Sequence, residues 1–186
     1  MNIALIILAA GKGTRMQSEL PKVLHEVAGA PMLVHAMRAG RALEPQRTII
    51  VAGHGFEAVS AAARAEDPEV EVVLQEAQLG TGHAVDKARA ALGDFDGTVI
   101  VLYGDCPLIQ SRTLEELSAT VSDSAVSVLG FEAIDPARYG RLITDGDKLK
   151  RIVEFKDASP AERAVSLCNG GVMAASAGLL FDLLSE

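Results

Sequence analysis

Apolar and polar residues follow two rhythms along this chain. Four short apolar runs, Ile3 to Leu8, Thr48 to Ala52, Val70 to Leu74 and Thr98 to Tyr103, are rich in β-branched residues and bounded by turn residues. Continuous runs of this length are the pattern of strands buried on both faces of a parallel sheet. Between them, apolar positions recur at helical spacing over Pro31 to Leu43, closed by Pro45, over the alanine-rich stretch Phe56 to Arg64, and over His83 to Leu92. Thr113 and Glu116 have the spacing of a capping box, which predicts a helix running to about Val121. Strand then helix, repeated, predicts a mostly parallel sheet with helices on both faces, a Rossmann-like three-layer α/β/α sandwich.

Beyond Ser124 the rhythm changes. Ala125 to Phe131 is strand-like, and Arg141-Leu142-Ile143 with Leu149 to Glu154 predicts a hairpin around Asp145-Gly146-Asp147. Leu167 to Ala175 is a further strand, and Ser176 is placed to cap a last helix over Gly178 to Leu184. That helix stops at Glu186 with no closing strand after it. One domain over 1–186 is expected, incomplete at its C-terminus, and its second part is expected to serve a second substrate.

Composition narrows the function classes. Hydrophobic residues make up 49% and charged residues 23%, as in an ordinary globular domain. A formal net charge of −8 argues against a nucleic-acid surface, which needs clustered Lys and Arg. No stretch has membrane-spanning length, and the apolar start lacks a basic leader, so no membrane partner and a cytoplasmic location are expected. Cys106 and Cys168 are far apart and form no metal-spaced or redox motif; reduced thiols are expected, with Cys106 a small half-buried residue rather than a nucleophile. His25, His35, His54 and His83 show no ligand spacing and are expected to be structural or to support a neighbouring side chain.

The chemistry concentrates at the ends of the predicted strands. The first runs into Leu8-Ala9-Ala10-Gly11-Lys12-Gly13-Thr14-Arg15-Met16, and Pro21-Lys22 follows shortly after. Ligands of open α/β sheets bind at the carboxyl ends of strands. Glycines let backbone N–H groups approach a ligand, and Lys12, Arg15 and Lys22 can neutralise a polyphosphate. A Walker loop is excluded, because Gly11-Lys12-Gly13-Thr14 has the wrong order and spacing. The dinucleotide fingerprint is excluded too: it needs glycine where Met16 stands, and an acidic residue where Ala52-Gly53-His54 follows the second strand. Gln75, after the third strand, has an amide that both donates and accepts, as an imide edge such as uracil requires. Gly80 and Thr81 open the next helix. Asp105, after the fourth strand, is a lone carboxylate beside a phosphate loop, which suits Mg²⁺.

Gly-x-Gly-Thr-Arg-Met followed by Pro-Lys resembles the signature of the sugar nucleotidyltransferases. With Gln75 to Ala84, Tyr103-Gly104-Asp105, Tyr139-Gly140-Arg141, Val153 to Ala158 and Asn169, the order and spacing resemble the uridyltransferase domain of N-acetylglucosamine-1-phosphate uridyltransferases over nearly the whole chain. The resemblance implies UTP and N-acetylglucosamine 1-phosphate as substrates, UDP-N-acetylglucosamine and pyrophosphate as products, Mg²⁺ as cofactor, and a place in cell-wall and lipopolysaccharide precursor synthesis. It implies a nucleotide-binding half over 1–123 and a sugar-binding half over 124–186. In it, Leu8, Ala10 and Gly11 hold the uridine, Gln75 reads uracil, and Gly80 and Thr81 complete that pocket. Arg15 and Lys22 bind the phosphates and act catalytically, Asp105 holds the metal, and Tyr103, Gly140, Glu154 and Asn169 hold the amino sugar. The family's second metal ligand, an asparagine, and its acetyltransferase domain have no counterpart within these residues, and a homotrimer is implied only where that domain is present. Two alternatives stay open: a nucleotidyltransferase of the same fold with another base or sugar, and a nucleotide-binding module without catalysis.

Overall fold

The structure is a computed structural model and describes residues 2–13, 16–121, 125–146 and 148–185. From β1 (Ile3–Ala9) the chain passes a single 3-10 turn at Lys22–Leu24 and a small hairpin, β2 (Glu26–Val27) and β3 (Ala30–Pro31), into α1 (Met32–Arg41). Next come β4 (Arg47–Ala52), α2 (Phe56–Glu66), β5 (Glu71–Leu74), α3 (Thr81–Lys87), α4 (Arg89–Leu92), β6 (Thr98–Tyr103) and α5 (Ser111–Ala119). The remaining elements are β7 (Ser127–Glu132), β8 (Arg141–Asp145), β9 (Lys148–Val153), α6 (Pro160–Arg163), β10 (Leu167–Ser176) and α7 (Ala177–Leu183).

These elements form two compact units, Met1–Ser127 together with Met173–Glu186, and Val128–Val172. The units differ from halves cut at 123/124, because the end of β10 pairs antiparallel with β6, Met173 opposite Val101 and Ser176 opposite Thr98. In the first unit the strand order is β5-β4-β1-β6, all parallel, with that end of β10 beside β6. The chain steps outward from β1 through β4 to β5, then crosses back to β6 on the other side of β1. The strand order therefore reverses at β1, and the loops at the carboxyl ends of β1 and β6 diverge there.

Alternation along β1 divides the core into two layers. Ala4, Ile6 and Leu8 join Ala84, Val85 and Ala88, Leu92, and Leu180 and Phe181 of α7 on one face. On the other face Gly40 of α1 sits against Leu5 and Leu102; a Cβ there would come within 2.4 Å of a Leu5 methyl. Leu5, Ile6, Ile7, Ile49 and Ile50 are almost wholly buried. Each such side chain contributes about 1.5–3 kcal/mol by leaving water.

Two helical expectations are corrected. The segment His83 to Leu92 is two helices with Ala88 at the junction, and the first begins at Thr81. The helix expected to be capped by Thr113 starts at Ser111, after an extended Gln110, so Thr113 lies inside it. Glu116 then turns to Arg112, one turn back, at 2.8 Å rather than to a cap. A capping box is found elsewhere: Ser159 accepts from the Glu162 N–H, Glu162 accepts from the Ser159 N–H, and Pro160 occupies the first helical position of α6. Ser176 caps α7 as expected, accepting from the Leu179 N–H at 3.4 Å.

In the second unit β8 and β9 form the expected hairpin, with Arg141 opposite Val153 and a register shift after Ile143. Of its expected turn, Asp147 lies outside the described residues. Arg141 is 2% exposed, and its guanidinium donates to the carbonyls of Tyr139, Ala137 and Arg163. None of these partners is a carboxylate. The buried cation instead ties the 137–140 loop and the end of α6 to β8, with the Phe155 ring 5.9 Å from its centre.

Candidate functional site

The chain leaves β1 at the point where the strand order reverses, and a cleft of about 580 Å³ opens there. Leu8, Ala9, Ala10, Gly11 and Gly13 from the first loop line it, with Gln75, Gln78, Gly80 and Thr81 after β5, Tyr103 and Asp105 at the end of β6, and Lys22. Thus Leu8, Ala10, Gly11, Lys22, Gln75, Gly80, Thr81, Tyr103 and Asp105, picked out from separate stretches of sequence, share one cleft. Tyr103, expected with the sugar, stands here beside Thr81, the two hydroxyls 3.5 Å apart. Lys12 is exposed and does not line the cleft. Arg15 lies outside the described residues.

Each wall follows from the local fold. Ala4 to Leu8 are locked between β4 and β6, and Ala9 still pairs with β4, so the backbone that follows has a fixed departure. Two contacts then tie it down: the Gln78 amide donates to the Ala10 carbonyl at 2.7 Å, and the His54 N–H reaches the same oxygen at 3.4 Å. Pro21 precedes the 3-10 turn that carries Lys22, and the Lys22 ammonium pairs with the Asp105 carboxylate. Both partners remain partly exposed to the cleft, with 40% and 26% of their side chains accessible. A cation and a carboxylate here are preorganised for exchange: phosphate oxygens compete for the lysine, and a metal competes for the carboxylate.

Among the described residues no cluster of three or more His, Cys, Asp or Glu could hold a metal ion. A cation at Asp105 would therefore take most of its ligands from phosphate and water, which is the habit of Mg²⁺ and not of Zn²⁺. The residues fit the former. Next to it, burial and the Asp105 charge push the Cys106 thiol up, partly offset by Lys22. Cys106 is thus held as a thiol, consistent with the non-nucleophilic role expected for it.

Gln75 is 3% exposed, and its environment sharpens the sequence expectation. The amide nitrogen donates to the Gly80 carbonyl at 3.2 Å and lies 2.9 Å from His83 Nδ1. Both N–H bonds are therefore used within the protein, and the amide has only its oxygen to offer. The expectation that it both donates and accepts toward a base is corrected accordingly. Gln78 was not anticipated, since nothing in a polar turn marks which side chain will reach back to another loop.

In the second unit Gly140, Glu154 and Asn169 converge. The Asn169 N–H donates to the Gly140 carbonyl at 2.8 Å. A Cβ on Gly140 would lie 3.3 Å from a Glu154 carboxylate oxygen and 3.7 Å from the Asn169 Cβ. The Asn169 side-chain oxygen is taken by the Gly171 N–H at 2.9 Å, so its NH₂ group is the part left to donate.

Residues 5–158 match the family model described as MobA-like NTP transferase domain. The chain is 63% identical over 185 residues to the bifunctional protein GlmU of Ruegeria pomeroyi, covering 100% of this chain and 41% of that protein. It therefore spans about two fifths of the length of the curated relatives it matches. Among solved structures, HddC from Yersinia pseudotuberculosis superposes with a TM-score of 0.74 at 26% identity, over 96% of this chain and 79% of that one. A UDP-glucose pyrophosphorylase complexed with UDP-glucose gives a TM-score of 0.75 over 100% of this chain and 80% of that one; at 19% identity this likeness concerns the fold alone. No helix among the described residues is long and apolar enough to cross a membrane.

Proposed function

The chain belongs to the MobA-like NTP transferase family, and from that premise we propose that it transfers a uridylyl group from UTP to N-acetylglucosamine 1-phosphate, releasing pyrophosphate. The observation that carries the proposal is the cleft at the carboxyl ends of β1, β5 and β6, where Gln75, Lys22 and Asp105 stand together. The 63% identity to a GlmU protein supports the choice of base and sugar.

In this reading Leu8, Ala10 and Gly11 lie along the uridine, Gln75 accepts from the base, and Gly80 and Thr81 close that end. Lys22 and Arg15 take the phosphate charge. Asp105 would hold Mg²⁺, which supplies positive charge against the phosphate oxygens. Gly140, Glu154, Asn169 and Tyr103 are the residues assigned to the amino sugar. An oxygen of the sugar phosphate attacks the α-phosphorus in line. A new P–O bond forms, the bond to the β-phosphate breaks, and the electron pair leaves with pyrophosphate. The nucleophile is already an anion, so no side chain has to remove a proton. The barrier is repulsion and misalignment between anions, which positioned cations lower.

The test is pyrophosphate release by this chain with UTP, N-acetylglucosamine 1-phosphate and Mg²⁺, each omitted in turn. Release that needs all three, with UDP-N-acetylglucosamine formed in equal amount, supports the proposal. UTP binding without any release would favour a nucleotide-binding module, and release with another nucleotide in preference would favour a different base.

A further inference from the structure

We infer that His83 is a positioning residue for base selection, because it and the Gly80 carbonyl engage both N–H bonds of the Gln75 amide and leave only its oxygen for the nucleobase. The inference rests on the uridine reading of the cleft and adds the residue that makes that reading selective.

The orientation of the amide is decided by the carbonyl. Gly80 O can only accept, so the Gln75 atom 3.2 Å away is the nitrogen and not the oxygen. That nitrogen carries no lone pair to share, so the His83 Nδ1 at 2.9 Å must accept as well. The imidazole is thereby held in the tautomer with its proton on Nε2. The Gln75 oxygen has no hydrogen-bond partner among the described residues, and it is not among their buried unpaired polar atoms. Gln75 lines the cleft, so this oxygen is the atom it presents there.

In the uridine reading this oxygen faces position 3 of the pyrimidine ring. Uracil presents N3–H there; cytosine presents an unprotonated N3, so two acceptors would face one another, its N4 amino donor lying one position further along the edge. A freely rotating glutamine would satisfy either base by turning over. Fixing the amide from behind removes that freedom, and the two hydrogen bonds to Gly80 and His83 do so from residues on the loop and helix that follow β5. Gly80 contributes through its backbone, which any residue supplies. His83 contributes through its side chain, and is the part that substitution can remove.

The experiment is calorimetric binding of UTP and CTP, with Mg²⁺, to the unaltered chain and to His83→Phe, His83→Gln and His83→Asn. Phenylalanine keeps the ring but has no acceptor, and the glutamine amide reaches past the Nδ1 position, so either tests the idea if the other fails to fold. Asparagine can place its oxygen near the lost Nδ1. The UTP/CTP affinity ratio is expected to fall by roughly tenfold in the first two variants, on the order of one misoriented buried hydrogen bond, and to return largely with asparagine. A folded His83→Phe or His83→Gln that keeps the ratio, or weakens both nucleotides equally, overturns the inference and leaves the uridine reading intact. An unaltered chain that does not distinguish UTP from CTP overturns the base assignment, and this inference with it.

Discussion

Replacing Gly13 with alanine probes how the phosphate loop is held. Gly13 has φ +57°, in the left-handed region, and a Cβ built on it would lie 2.6 Å from the Lys22 Cβ and 3.4 Å from its Cγ. Carbon atoms not bonded to one another rest about 3.5–4.0 Å apart. The clash is with the root of the lysine side chain, which cannot swing aside as its tip could. An alanine in left-handed backbone costs about 1–2 kcal/mol, and overpacking a close contact costs about 1–3 kcal/mol more. If the loop keeps its place, Gly13→Ala should lose about 2–5 kcal/mol, or roughly 4–20 °C in Tm for a chain of this length. If the loop moves instead, the strain is relieved by pushing Lys22 from Asp105, and the loss appears in UTP affinity.

Gly11 is the internal control. A Cβ there meets nothing within 4 Å and its φ is not left-handed, so Gly11→Ala should leave stability within about 0.5 kcal/mol. Thermal and urea unfolding of both variants, and UTP titration with Mg²⁺, measure the two channels. Gly13→Ala that melts and binds like the unaltered chain would refute the packing argument, as would a Gly11→Ala variant equally destabilised.

Three further outcomes are expected. Asp105→Asn should raise the Mg²⁺ concentration for half-maximal UTP binding on the order of tenfold while UTP affinity in excess Mg²⁺ changes little, since one charged ligand is lost and the base pocket is untouched; an unchanged Mg²⁺ titration would make Asp105 a turn residue. Burial and the Asp105 charge hold the Cys106 thiol up, so it should alkylate with iodoacetamide at pH 8 more slowly than the same cysteine in urea, and faster in Asp105→Asn than in the unaltered chain. The Arg38 guanidinium, forked onto both oxygens of Glu66 at 3.1 and 2.8 Å, holds that carboxyl below the usual range, with Arg41 adding to it. The unfolded chain then takes up the proton more readily, so the contribution is full above the ordinary carboxylate range and is lost as pH falls through the folded value. Glu66→Gln should therefore lower Tm at pH 7, with the difference from the unaltered chain shrinking as pH falls through and below the ordinary carboxylate range.

The first unit was legible in the sequence because its strands are buried on both faces. Ile3 to Leu8 and Thr98 to Tyr103 have no polar residue to break the run except where the sheet ends, so length and bounding glycines locate them to within a residue or two. The cleft was legible for the same reason. The loops that follow those strands begin at the carboxyl edge of the sheet, so residues distant in sequence, such as Gly11, Gln75 and Asp105, were bound to meet. The capping box was misread because the spacing Thr-x-x-Glu is satisfied at Thr113 and at no cost elsewhere. What decides a cap is where the preceding residue turns extended, and Gln110 does so three residues earlier. Ser159-Pro160-Ala161-Glu162 carried the stronger signal, with proline at the first helical position, but α6 is only 4 residues long and has no apolar period to draw attention to it.

What the sequence could not carry is the direction of a hydrogen bond. A glutamine beside a base pocket has two faces, and composition, spacing and family resemblance all describe Gln75 equally well with either face inward. The choice is made by the Gly80 carbonyl and by His83, whose single feature in the sequence is that it follows a glycine. The same holds for Arg141. Within the Tyr139-Gly140-Arg141 stretch its side chain is buried, and its described hydrogen bonds go to three backbone carbonyls. A cation placed this way serves the loop that carries Tyr139 and Gly140 by holding it from below, and its charge is spread over carbonyl dipoles and the Phe155 ring. In both cases the fold turns polar hydrogens toward the protein's own groups. The residues that touch the ligand and the residues that aim them are drawn from the same polar vocabulary, and only the third dimension separates them.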